Sequence, residues 1–239
     1  MPSLFRSRGV YVNLASAPQM LEYERIADRL AADRPGPILD WGCGAGQVTS
    51  LLRERGLEVT AFDYRPGLEA PTVAPLENYP DVHAHLSSEP VTLPFADDAF
   101  GAVLSCGVLE HVKDPELSLE ELKRVLRPGG TIYVYKLPNR HSYLEAIARL
   151  VARFGGDIYW HGKHPYDVLY DEGSAAALLE RHGYGVRDLH LANMLPLTLP
   201  GPLARRLTPV IWRLNEGLAH VPGLRRLATN VELVAIAPA

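Results

Sequence analysis

Helical and strand-like spacings of apolar residues alternate along most of this chain. Residues 18–32 place Met20 or Leu21, Tyr23 or Glu24, Ala27 and Leu30 at helical intervals, which predicts an amphipathic helix stopped by Arg34-Pro35-Gly36-Pro37. Residues 38–41 form a short apolar run with one acid, as a buried strand would. Glycines at 42, 44 and 46 follow, then a helical pattern to about Arg55 that Gly56 closes. A second strand over 57–62 ends at Asp63, so strand, helix and strand fit a right-handed βαβ unit. The proline-rich residues 65–80 predict a broken helix around 67–77. Residues 82–86 predict a third strand, and 100–105 are apolar on both faces, as a central parallel strand should be.

Asp114-Pro115 supplies an N-cap and an N1 proline for a helix whose stripe is Leu119, Leu122, Val125 and Leu126. Arg127-Pro128-Gly129-Gly130 ends it, and 131–137 predict the next strand. Residues 139–154 predict a helix with Leu144, Ile147, Ala148 and Val151 on one face. A loop follows over 155–170, then a helix from Asp171 to Gly183 and strands over 185–191 and 231–236. Residues 1–17 are mixed, although Phe5, Tyr11 and Val12 could fold back over a site. The segment 192–230 is an unusually long connection. Within it Thr208-Pro209 predicts a helix start, with Val210, Ile211, Leu214 and Leu218 as the stripe. Arg205, Arg206, Arg225 and Arg226 flank it, and Glu216 is the only acid between Pro202 and Asn230. Such a basic amphipathic helix can pack as a lid, make a dimer contact, or rest on an anionic membrane surface through 203–226.

Composition narrows the class. The 239 residues are enough for one α/β domain, here taken as 1–239 with a cap helix in 1–35 and an inserted segment at 192–230. A formal charge of −4 gives no electrostatic reason to expect nucleic acid as partner. Cys43 and Cys106 make no disulfide framework and lack metal-ligand spacing, so a reducing cytoplasm and no metal are expected. No apolar run approaches the length of a membrane span.

The candidate chemistry begins at residues 38–46. Glycine in such a turn reaches positive φ and carries no Cβ to hold a ligand off the backbone, and the following helix start offers unpaired N–H groups. Asp63, about twenty residues on, is where an acid can bind ribose hydroxyls of a nucleoside cofactor. A dinucleotide site wants G-x-G-x-x-G, whereas this chain has Asp40-x-Gly42-x-Gly44-x-Gly46. Here the sequence resembles the class I S-adenosylmethionine-dependent methyltransferases, in particular the small-molecule group that includes ubiquinone-biosynthesis enzymes. The resemblance is carried in order by Leu39-Asp40-Trp41-Gly42-Cys43-Gly44-Ala45-Gly46, Phe62-Asp63, Leu93-Pro94-Phe95 with Phe100, Val108-Leu109-Glu110-His111-Val112 and Arg124-Val125-Leu126-Arg127-Pro128-Gly129-Gly130.

That resemblance implies a Rossmann-like seven-stranded, mostly parallel sheet with helices on both faces and a terminal antiparallel strand pair. It also implies S-adenosylmethionine as cofactor. Asp40 and the backbone around Gly42, Cys43, Gly44 and Gly46 would hold its methionine end. Asp63 would take the ribose, Tyr64 would face adenine, and Cys106-Gly107 would run beside the methionyl chain. Glu89 stands where the family often has an adenine-binding acid, but Pro90 after it has no N–H to give, so either the contact shifts by a residue with Ser88 or Val91 helping, or it is weaker. A hydroxyl acceptor calls for a base, and His111 is the first candidate, with a loop-fixing role as its plain alternative. In Tyr159-Trp160-His161-Gly162-Lys163-His164-Pro165-Tyr166, the two histidines could bind substrate, act as base or ligate a metal, though no third ligand is identifiable, or the loop could simply pack. Tyr11, Tyr143 and Asn193 are weaker candidates for lining the same cavity. The expected activity is methyl transfer to a small molecule, at oxygen before nitrogen or carbon. A nicotinamide oxidoreductase and a non-catalytic cofactor-binding domain are the rivals.

Overall fold

A computed structural model describes residues 17–155, 168–195, 201–219, 221 and 223–239. In chain order its elements are α1 (Ala17–Asp33), β1 (Ile38–Trp41), α2 (Gln47–Glu54), β2 (Val59–Tyr64), β3 (Thr72–Leu76), β4 (Tyr79–Ser87) and β5 (Phe100–Cys106). Then come α3 (Pro115–Val125), β6 (Leu126–Pro138), α4 (Tyr143–Arg153), α5 (Glu172–Arg181), β7 (Gly185–Ala192), α6 (Gly201–Ala219), a 3-10 turn (Leu224–Leu227) and β8 (Asn230–Ile236).

The strands form one sheet in the order β3-β4-β2-β1-β5-β6-β8-β7. Strands β4, β2, β1, β5 and β6 are parallel, while β3, β8 and β7 join by antiparallel pairing. Side-chain alternation divides the core in two. Ile38, Ala102, Leu104 and Tyr133 pack beneath Ile26 and Leu30 of α1 and Leu51 and Leu52 of α2. Leu39, Val103, Ile132 and Val134 face the other way, against Leu119 and Leu122 of α3 and Leu178 of α5. Burying such a leucine contributes roughly 1.5 to 3 kcal/mol, so the two apolar faces of the sheet dominate the drive to this arrangement.

The predicted caps form. The Asp114 side chain accepts from the Leu117 N–H, and Asp171 and Ser174 make a reciprocal capping box. Three readings need correction. Residues 65–80 hold no helix: β3 lies there, joined to β4 by a tight hairpin, and it adds a strand to the seven expected. Pro75 is tolerated because β3 is at the sheet edge, where one row of N–H groups needs no partner strand. The helix expected over 139–154 begins only at Tyr143, because Ser142 caps it, and Ile147 is exposed while Glu145 is buried. Helix α6 begins at Gly201, not at Pro209, which lies inside it. Its inward row is Thr208, Ile211 and Asn215, and Asn215 accepts from the Leu195 N–H at 2.6 Å. Val210 and Leu214, expected on the packed stripe, are exposed with Leu207. Among the described residues no helix is long and apolar enough to cross a membrane.

Candidate functional site

The chain leaves β1 toward β2 and β4 on one side and later returns to β5 on the other. Such a reversal opens a crevice at the C-terminal ends of the strands, where ligands bind in open α/β sheets. The turn after β1 occupies that crevice. Gly42 and Cys43 both donate N–H bonds to the Phe62 carbonyl at 2.9 Å, tying the turn to β2.

The three glycines divide their tasks. All have positive φ, at +77°, +55° and +88° for Gly42, Gly44 and Gly46. A Cβ at Gly42 would lie 2.5 Å from Val108, and one at Gly46 would lie 2.5 Å from Leu76, so these two also serve packing. A Cβ at Gly44 would meet nothing within 4 Å. Gly44 is thus the position where the backbone faces open space.

Gly46 caps α2 without a side chain to satisfy its first N–H groups. Asp40, on β1, does so instead. Its carboxylate accepts from the Thr49 hydroxyl at 2.5 Å and from the Thr49 N–H. Asp40 is only 2% exposed, and burial pushes its pKa up to about 6; the Thr49 bonds pull down and the neighbouring Asp63 charge pushes further up. Asp63 sits near the end of β2 with its side chain largely buried and Arg65 at 3.2 Å. Burial raises its pKa too, against the pull of Arg65 and of the Tyr64 N–H. The Cys43 thiol is raised by burial and by both carboxylates, which keeps it neutral. Two acids whose charged forms are disfavoured by burial, around a bare backbone, suit a ligand that brings positive charge and hydroxyl donors.

The other expected residues lie around this centre. Tyr64, at the end of β2, presents an exposed ring. Ser88 follows β4, and its hydroxyl donates to the Leu68 carbonyl at 3.0 Å. Glu89 has an exposed side chain, and its N–H donates to the Ser87 hydroxyl at 3.1 Å. Cys106 ends β5 with its thiol raised by burial, and Gly107 at φ +70° donates its N–H to the Tyr135 carbonyl at 3.0 Å. His111 closes the next turn through a bond from its N–H to the Val108 carbonyl, and its Nε2 lies 3.7 Å from the buried Glu110 carboxylate. His161 and His164 lie outside the described residues. Sequence reasoning missed Glu22 and Tyr23 of α1 and Lys136 of β6, which meet beside Cys106. A lysine inside Ile132-Tyr133-Val134-Tyr135-Lys136-Leu137 was the available signal.

Comparison with known proteins shows the family and the fold. The methyltransferase domain family matches residues 39–134. A malonyl-[acyl-carrier protein] O-methyltransferase of Pseudescherichia vulneris is 29% identical over 90% of this chain and 93% of its own. A ubiquinone biosynthesis O-methyltransferase of Xanthomonas campestris pv. campestris is 30% identical over 72% of this chain and 71% of its own. Among solved structures, a S-adenosylmethionine-dependent methyltransferase of Thermotoga maritima superposes with a TM-score of 0.53 at 13% identity, covering 92% of this chain and 93% of its own.

Proposed function

Since this chain belongs to the class I S-adenosylmethionine-dependent methyltransferases, we propose that it carries the methyl group to an oxygen of a small acceptor molecule. The cofactor supplies an electrophilic methyl group on a sulfonium. The observation that carries the assignment of its site is the open backbone at Gly44 between two largely buried carboxylates, Asp40 and Asp63. Asp40 and the turn at Gly42, Cys43, Gly44 and Gly46 hold the methionine end, with Cys106 and Gly107 along its length. Asp63 binds the ribose, Tyr64 covers the adenine, and Ser88 and Glu89 border its edge. Both relatives described above are named as O-methyltransferases, which supports oxygen as the acceptor atom.

Transfer of this kind is an in-line displacement, so alignment and exclusion of water are the protein's main contributions. Where the acceptor is a hydroxyl, His111 is the base, its Nε2 lying 3.7 Å from the Glu110 carboxylate. His161 and His164 remain candidates for acceptor contact. In this reading residues 1–239 work as one methyltransferase domain, with the segment to residue 35 as a cap and 192–230 as an inserted interaction segment. Incubation with methyl-labelled cofactor and the small-molecule fraction of a bacterial extract tests the proposal. Label should enter an acceptor as a methyl ester or ether, and transfer only to nitrogen or carbon would overturn the oxygen assignment.

The inserted segment supports one more contact. Leu207, Val210 and Leu214 make an exposed apolar row on α6, between its buried row and the exposed Arg206 and Arg213. An apolar row edged with arginine suits an anionic lipid surface or a lipid-linked acceptor. The protein should sediment with phosphatidylglycerol vesicles at low salt, less so with neutral vesicles, and Val210→Asp should abolish the difference. Absence of sedimentation at low salt would end the membrane version.

A further inference from the structure

Strand β6 breaks its own alternation at Lys136. Tyr133 and Tyr135 point to the α1 side and Val134 to the other, yet Leu137 packs with Val134 and not with Tyr135. The register with β8 shifts between Val134 and Leu137, and Lys136 has φ +64°. An inserted residue of this kind re-aims side chains, and such bulges concentrate beside active sites. Glycine would adopt this backbone freely, whereas a lysine costs about 1 to 2 kcal/mol. The side chain therefore needs an explanation.

The bulge sends Lys136 to the α1 side. Its ammonium lies 3.3 Å from the Glu22 carboxylate and 5.0 Å from the centre of the Tyr23 ring. Glu22 is fully buried and accepts from the side-chain amide of Asn193, another residue with φ +64°. Three distant stretches, at 22, 136 and 193, thus converge on one ion pair. Lys136 directly follows Tyr135, whose carbonyl receives the Gly107 N–H, and its side chain lies on the α1 side of the sheet, as Cys106 does. Its side chain keeps 20% of its exposure. An ammonium has three donors, and a carboxylate on one side and an aromatic face on another leave it capacity for a third partner.

Stability gives a weak account of this cluster. Buried ion pairs commonly recover no more than their desolvation cost, and an apolar pair would avoid both that cost and the backbone strain. Burial works against the charge on Lys136, but the Glu22 carboxylate 3.3 Å away outweighs it and holds the lysine above its ordinary pKa. It stays a cation at neutral pH and is no base.

We propose that Lys136 is the cation that holds the methyl acceptor's oxyanion, a carboxylate or an ionised hydroxyl, beside the Cys106-Gly107 edge, with Glu22 and Asn193 fixing where its ammonium stands. The inference rests on the reading of oxygen methylation above. An acceptor oxygen that arrives as its anion has no proton left to lose when the new O–CH3 bond forms and the C–S bond breaks, sulfur keeping the electron pair. A fixed cation favours that anionic form and orients it.

The experiment measures S-adenosylmethionine affinity by calorimetry and the rate of labelled methyl transfer into the small-molecule fraction of a bacterial extract. Lys136→Met should bind the cofactor within about threefold of wild type and transfer at roughly one hundredth of its rate or less, with Lys136→Arg recovering about tenfold of the loss. Should Lys136→Met fail to fold because Glu22 loses its counter-ion, the double variant with Glu22→Gln removes both charges, and the same comparison is made on it. Transfer within threefold of wild type overturns the proposal. So does a fall in cofactor affinity that matches the fall in rate, since Lys136 would then be a strut of the cofactor site. A wild type that binds the cofactor and labels nothing overturns the methyl-transfer reading itself, a different outcome from either.

Discussion

Asp63→Ala is expected to weaken S-adenosylmethionine binding by roughly tenfold or more while the protein remains folded. The carboxylate is largely buried at the end of β2, with Arg65 3.2 Å away as a half-exposed partner. Burial raises its pKa against the pull of Arg65 and the Tyr64 N–H, so the charge is held there at a cost. A carboxylate in that position can accept from both ribose hydroxyls, and hydrogen bonds to charged groups contribute about 1.5 to 3 kcal/mol each. Losing one such bond already approaches or exceeds a factor of ten in affinity. Alanine removes the buried charge along with the bonds, so the cofactor-free fold should lose little. Asp63→Asn, which can still accept one hydroxyl, should fall between the two. Titration calorimetry that finds unchanged affinity in the alanine variant would refute the ribose assignment.

What the sequence discloses about this protein follows the range of the forces involved. Asp114-Pro115 and Asp171 marked helix starts because a cap is made within three residues. Residues 38–46 and Asp63 mark the site proposed for the cofactor because strand, turn and acid lie on one βαβ unit. Where distant packing decides, the reading failed. The prolines around β3 argued against regular structure, and only its place at the sheet edge makes Pro75 harmless. Thr208-Pro209 has the local form of a helix start, yet Thr208 is fully buried inside α6. The packing task of two turn glycines has no local signal either, because the neighbours that exclude a Cβ at Gly42 and Gly46 are Val108 and Leu76, remote in sequence. Glu22, Lys136 and Asn193 share no motif at all. Their meeting depends on a bulge in β6 and on how α1 lies over the sheet, neither of which has a short-range signature.

Asp40→Asn is expected to separate stability from binding in opposite directions. With its pKa at about 6 in the folded protein against an ordinary value of 3.8, Asp40 holds its proton more tightly when folded. Between those values the folded state carries more protons than the unfolded one, so this group's contribution to stability falls as pH rises through that window. A rise from 3.8 to about 6 corresponds to at most about 3 kcal/mol at neutral pH. Asparagine keeps an acceptor for Thr49 and carries no charge, so the cofactor-free variant should melt above wild type at pH 7, with a gap that closes toward pH 4. Other carboxylates whose pKa values are lowered, such as Glu121 and Glu232, give slopes of the opposite sign, but they are common to both proteins and cancel in the difference. Cofactor affinity should move the other way and fall severalfold, because in the proposed site the buried charge meets the positive methionine end. Melting curves from pH 4 to 7 without cofactor, with calorimetry at pH 7, check both halves. An asparagine variant no more stable than wild type at neutral pH would mean that the Thr49 bonds already offset the burial of Asp40. A gain in stability with full affinity retained would mean that the acid does not face the cofactor. Only the two shifts together mark a carboxylate whose burial destabilises the empty protein and whose charge serves the bound one.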